Sequence, residues 1–475
     1  MFKLISFALS FIFTITVVHA APENTSTLND QQEVAVTIYN ENLALIKDTR
    51  KVRLANGEER LAWRDVSAQI RPETALLRNL THPKGFFLVE QNFDFDLLTP
   101  QKLLEKYIGQ NVTILRSHPT TGVDEREDAV VLATNNGVVL KYADRIETGT
   151  PGRIAYPSVP ANLRDRPTLV ISLNAAQAAT DTLELSYLTG GLGWRADYVA
   201  ELSKNDDTLD LNAWVTLTNT SGASYRNAKL QLVAGDVNRV QEVVKDSMER
   251  FQVQPMAATP PKMAEESLFE YHLYTLNRPT TISENQSKQV ALMSATNIPA
   301  NKEFLLRGAN FYYQSSYGDI GQKMKVSVFV EFENKGAGLG IPLPKGAMRV
   351  YKKDSAGNAQ FVGEDSIDHT PKLEKIRLKL GEAFDVTADK KQTNFEKIAG
   401  SSRYNYISES AFEITLKNAK DVPVTVKVME PIPGDWQMLS ESQPHQKATS
   451  NTAVWLLEVP ANGGSKLIYK VRVRY

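Results

Sequence analysis

Cysteine is absent from all 475 residues. Its absence excludes a disulfide framework, a thiolate nucleophile, cysteine-ligated zinc or iron–sulfur centres, and a lipid-modified N-terminal cysteine. Histidine is scarce, at six. No apolar run beyond residue 20 reaches the roughly 18 to 20 residues that a membrane-spanning helix needs. Charge of one sign is also missing, because 54 Lys and Arg face 55 Asp and Glu for a net charge of −1. So even a balance gives no general attraction to nucleic acid or anionic membrane.

What is present begins with an address. Lys3 precedes an apolar stretch from Leu4 to Val18, and Val18 and Ala20 occupy the −3 and −1 positions of a small-residue cleavage site. The sequence predicts a signal peptide over 1–20, cut after Ala20, and a periplasmic or secreted chain with no transmembrane segment in its mature part. An oxidising compartment permits disulfides, so their absence assigns stability to packing and strand pairing.

Strand alternation then dominates. Val34, Val36 and Ile38 share a face, and Leu43 and Leu45 follow the polar Asn40-Glu41-Asn42. Val52 and Leu54, then Leu61 and Trp63, flank Asn56-Gly57, the strongest short turn signal in the sequence. One helix is marked, Pro100 to Ile108, with Thr99 as cap and Gly109 as stop. Short strands around Gly turns predict a small barrel-like insertion over 97–160. Leu209, Leu211, Ala213, Val215 and Leu217 alternate with polar residues, as do Val326 to Phe332, Ile376 to Leu380, Phe412 to Leu416, Val422 to Val428 and Leu467 to Tyr475. A helical stripe is sketched by Val240, Val243, Val244 and Met248. The aperiodic stretch 251–267, with three prolines, reads as a linker or mobile loop.

The predicted fold is all-β: tandem β-sandwich domains with a small barrel-like insertion and little helix. The segments are an N-terminal β region over 21–96, the insertion over 97–160, a sandwich over 161–250, the linker, and a C-terminal sandwich over 268–475.

Chemistry is thinly signalled. Outside the signal, His82, His118, His272, His369 and His445 show no metal-ligand spacing. Asp365, Asp368 and His369 lie together before Pro371 and read as a polar turn, a metal or acid/base site being the other reading. Asp206, Asp207 and Asp210, and Asp94 with Asp96, read as Asx turns or as calcium-binding oxygens. Gly190-Gly191-Leu192-Gly193 lacks the Lys-Ser/Thr of a phosphate loop and reads as turn glycines beside a core Trp194. The Gly/Pro stretch Gly336 to Gly346 reads as a crossover, with ligand binding as the alternative. No catalytic, cofactor-binding or metal residue is assigned, and no cofactor.

The stretch Tyr187-Leu188-Thr189-Gly190-Gly191-Leu192-Gly193-Trp194-Arg195-Ala196-Asp197-Tyr198 opens a resemblance. Leu217 to Gly222, Leu232 to Val237, Phe332 to Lys335 and Trp455 continue it. Together they resemble the bacterial domain of unknown function 4139, which also forms the C-terminal part of proteins called mucoidy inhibitor A. The likeness covers roughly 180–475. The coiled coil that usually precedes the domain in those proteins has no counterpart here, because no heptad run exists. The resemblance implies a β-rich, exported envelope protein and brings no catalytic residues. The resulting expectation is a non-enzymatic binding or scaffolding protein whose partner is an unidentified envelope protein or polysaccharide. Two alternatives stand beside it: a carbohydrate-active hydrolase using a carboxylate pair, and an outer-membrane barrel, suggested by the aromatic end at Tyr475.

Overall fold

A computed structural model describes residues 23–40, 42–118, 120–150, 152–160, 163–235, 263–401 and 403–475. The signal peptide, its cut after Ala20, the 240–248 stripe and residues 251–262 of the expected linker lie outside them. The remainder of that stretch is no linker: Ala264–Leu268 is a strand paired antiparallel with Tyr271–Thr275. Most of its side chains are exposed, which is why no burial period marked it.

Two-thirds of the described residues are strand and 4% are helix. The α-helix Pro100–Lys106 starts where its residues dictate: Thr99 accepts a hydrogen bond from the Lys102 N–H, and Pro100 occupies the first turn. It leads into an open five-stranded sheet over Asn111–Ala155, packed on its own small core of Tyr107, Val112, Ile114, Val131 and Leu140. Among the described residues no sheet closes into a barrel.

The first large core lies among three sheets. One holds Gly57–Arg64 and Thr168–Ala175, a second holds Gln31–Tyr39, Leu43–Leu54, Ala179–Thr189 and Tyr225–Ala234, and the third contributes Leu192–Leu202 and Thr208–Asn219. Sheet membership therefore crosses the segment limits read from sequence, since N-terminal strands pair directly with those of 161–250. The Asn56-Gly57 turn forms, with Gly57 at φ 87°, but it makes no hairpin. Leu43–Leu54 and Gly57–Arg64 pair into different sheets, so the chain arches across the core. Val52, Leu54, Leu61 and Trp63 all point into that core, from facing sheets. Asn418 to Asp421 likewise makes no hairpin: Tyr404–Asn418 pairs with Gly463–Arg474, whereas Val424–Pro431 pairs with Thr452–Val459.

Two strand ends in the C-terminal two-thirds, those of Thr208–Asn219 and Tyr404–Asn418, use one device. Asn219 and Asn418 each end a strand, fully buried. Each donates its amide to the carbonyl four residues on and to two carbonyls of another strand, and each accepts from the N–H two residues on. A buried asparagine satisfied on both sides substitutes for the ladder bonds lost where the chain leaves its sheet.

The second core is built from Phe304, Leu306, Tyr313, Val386, Phe412, Ile414, Val426, Trp455, Tyr469 and Val471. Three long strands join it to the first. Gln286–Arg307 gives Leu292 and Ile298 to the first core, then Phe304 and Leu306 to the second. Asp319–Glu333 gives Val330 and Phe332 to the first and Val326 to the second. Lys375–Ser401 gives Ile376 and Leu378 to the first, and Val386 and Ala388 to the second. Hinge motion between the sandwiches would break ladder hydrogen bonds in three strands at once.

Candidate functional site

The carboxylates and histidines singled out in the sequence do not converge. Asp365 accepts from the Lys379 N–H at 2.8 Å, and His369 meets the Asn40 amide at 3.3 Å and the Lys345 N–H at 3.2 Å. Asp94 takes the Arg164 guanidinium and Asp96 the Lys106 ammonium. Asp207 is bonded by Ser203 and Asp210 by the Asn297 N–H. The other histidines are local: His82 on buried Asp181, His272 on Glu265, and His118 accepting from its own loop. His445 sits between Trp436 and Trp455 and bonds Glu441, which also accepts from the Trp455 indole.

The glycine stretches are structural. Gly191, at φ 76°, brings the backbone to Ser221, where a Cβ would fall 2.5 Å from its Cα, and Trp194 is buried beside it. The Gly336 to Gly346 crossover buries Leu339 and Leu343 and is tied by Asn334, Tyr198 and Tyr274. Its carbonyls at Pro342 and Pro344 already accept from the two tyrosines, so it is a packed connection and no open ligand loop. The strand ending in Arg474 lies between two partners, with Leu467, Tyr469, Val471 and Val473 in the core. Its other face carries Lys470 and Arg472 on Glu409. Charge there does not suit a lipid-facing wall.

A concave site does form at the seam of the two cores. A cavity of about 190 Å3 is lined by Leu202, Val328, Val330, Val362 and Leu380, with Asp206, Lys302, Lys352 and Glu382 at its polar side. The ladder opens there, with register shifts beside Ser327 and Phe329. Asp206 binds Lys302 at 2.9 Å and also Lys352. Glu382 binds Lys379 at 2.9 Å. With aliphatic walls and both carboxylates neutralised by lysines, this cavity lacks the free acid/base pair and aromatic lining that glycoside cleavage uses.

Burial works to raise the Asp206 carboxyl pKa, but hydrogen bonds and charge from the two lysines outweigh it and hold it below its ordinary 3.8. A depressed folded pKa stabilises the fold above the unfolded carboxyl range, and the contribution is lost as pH falls through the folded value. Asp206→Asn should therefore lower the urea midpoint at pH 7, with the gap to wild type closing below about pH 4. A gap independent of pH would contradict this account of the seam.

The sequence reading missed two buried charge clusters. In the first core Arg50 is fully buried against Asp48 at 2.7 Å, with its guanidinium over Trp63 and on the carbonyls of Ser26 and Arg64. In the second, Lys390 contacts both Glu430 oxygens, at 2.6 and 2.7 Å, and the Tyr313 hydroxyl donates to the same carboxylate at 2.9 Å. Burial lowers the Lys390 pKa against the pull of Glu430, and pushes the Tyr313 and Tyr469 hydroxyls well up. A signal existed. Glu430 interrupts the inward row Val426, Val428, Ile432, and Asp48 and Arg50 interrupt Ala44, Ile46, Val52, Leu54.

A family model described as Domain of unknown function (DUF4139) matches residues 183–475. No curated protein matches the chain. The matched stretch holds the second core and the three joining strands, whereas the first core also needs Val36, Ile38, Leu61 and Trp63 from outside it.

Proposed function

The chain belongs to the family of the Domain of unknown function (DUF4139), and from that premise we propose that it is an exported, non-enzymatic protein of the bacterial envelope that binds or scaffolds another envelope component. The observation that carries this reading is the continuity of three strands through both cores. Such a frame holds surfaces at fixed spacing, which suits presentation of a binding face. Phe86–Asp94 supplies one open edge, with Phe87 and Val89 both 62% exposed. A register shift opposite Ser172 and Leu173 interrupts its pairing, a feature that discourages edge-to-edge self-association.

Cell fractionation combined with cross-linking in the intact envelope tests the proposal. The processed chain should leave with the periplasmic or secreted fraction, and one cross-linked species should recur. Retention of the unprocessed chain in the cytoplasm, or monomer alone after repeated cross-linking, would refute it.

A further inference from the structure

From Gly308 to Gly318 the sequence Gly-Ala-Asn-Phe-Tyr-Tyr-Gln-Ser-Ser-Tyr-Gly holds no charged residue, in a chain 23% charged. Four of the eleven are aromatic, and Asn310, Gln314, Ser315 and Ser316 are exposed amides and hydroxyls. The segment is fixed from below. The buried Gln392 side chain donates to the carbonyls of Tyr312 and Ser315 and accepts from the Tyr317 N–H. Ser408 and Tyr475 both donate to the Tyr313 carbonyl, and the Tyr313 hydroxyl reaches Glu430. Gly308 allows the chain to enter at all, since a Cβ there would fall 2.2 Å from a Glu430 oxygen.

What this foundation presents outward is a ring cluster. Phe311, Tyr312 and Tyr317 meet edge to face with centroids 4.6, 5.8 and 6.4 Å apart, and Phe311 and Tyr317 remain 47% and 42% exposed. Edge-to-face packing sets one ring's edge on another's face, and the Lys390 ammonium lies over the Tyr312 ring, so the surface open to a ligand is chiefly that of Phe311 and Tyr317.

We propose that this loop is a binding site for an uncharged glycan, its rings stacking on the C–H faces of pyranose units and its amides and hydroxyls pairing with sugar hydroxyls. Three features select that ligand. The lack of charge disfavours an anionic polymer or a charged peptide, which would call for compensating side chains. Hydroxyl and amide donors beside aromatic faces match a ligand that is apolar on one side and hydroxylated at its rim. The size also fits: three partly exposed rings offer on the order of 250 Å2, against about 800 Å2 per partner in a stable protein interface. The backbone braces mean that little ordering entropy is lost on binding.

The proposal rests on the binding role given above and names the class of partner. Titration of the processed full-length protein with cellohexaose, maltohexaose and chitohexaose, followed by tyrosine and tryptophan fluorescence, tests it. At least one should bind with a millimolar Kd or better, and polygalacturonate should not. Phe311→Ala/Tyr317→Ala should weaken binding about tenfold or more at an unchanged thermal midpoint; Tyr317→Ala alone should act in the same direction, should the double variant fold poorly. Binding to none of the three, preference for polygalacturonate, or binding unaltered in the variants would overturn it. A photo-cross-linker at position 317 separates this failure from that of the broader reading: a protein captured there would sink the glycan site while leaving a binding role in place.

Discussion

Lys390→Met is expected to cost about 3–5 kcal/mol, because it leaves the Glu430 carboxylate buried without its cation, beside neutral tyrosine hydroxyls. Urea unfolding followed by tryptophan emission measures it directly, since Trp436 and Trp455 belong to this core. The double variant Lys390→Met/Glu430→Leu should recover most of the loss. An ion pair replaced whole by apolar residues removes the desolvation penalty along with the attraction. Tyr313 keeps a hydroxyl partner in that variant, because Tyr469 lies 3.0 Å away. A loss below about 1 kcal/mol in the single variant would mean that water reaches the pair, since a solvated pair contributes only that much. The shared strands add a further expectation. Destabilising the second core should shift the emission of Trp63 and Trp194 in the same transition, because no flexible joint insulates the first core.

Arg50→Met should have a comparable effect in the first core, again about 3–5 kcal/mol, but with a different pattern of rescue. Arg50 does more than neutralise Asp48. Its guanidinium also satisfies the carbonyls of Ser26 and Arg64, which belong to adjacent strands of the facing sheet. Arg50→Met/Asp48→Leu removes the stranded carboxylate yet leaves those carbonyls without their donor and the Trp63 indole without its acceptor. Each unsatisfied buried group costs about 1–3 kcal/mol. Recovery should therefore be clearly incomplete, unlike that of the Lys390/Glu430 pair. Full recovery in urea unfolding would show that the strand Glu23–Ser26 contributes little to the fold. The contrast separates a pair that is only electrostatic from one that also ties two sheets together.

Much of the architecture was legible residue by residue. Val34, Val36 and Ile38, and Leu209 to Leu217, point inward as their alternation predicts. Thr99, Pro100 and the apolar stripe located the helix, which ends two residues before the predicted Ile108. In the strand Leu43–Leu54 the inward face differs by one position from the expected one. Ala44 and Ile46 face the core fully, whereas Leu45 is only half-buried. Taking Leu45 as the inward residue put Asp48 and Arg50 out of view. The loop at 308–318 carried a compositional signal, uncharged and aromatic, that strand periodicity could not register.

By itself the sequence determined which side of strands such as Gln31–Tyr39 and Thr208–Asn219 is apolar, that helix is rare, that disulfides and thiolate chemistry are absent, and that residues 183–475 share a family. The tertiary structure alone decided which sheet each strand joins. Period-two alternation specifies a face and is indifferent to the partner across the ladder, so an arch and a hairpin look alike around Asn56-Gly57. It also decided what the missing cysteines first raised, namely what holds the chain together. Two packed cores share three strands, each core with a charge cluster buried inside it, and that arrangement depends on contacts between residues such as Lys390 and Glu430, forty positions apart.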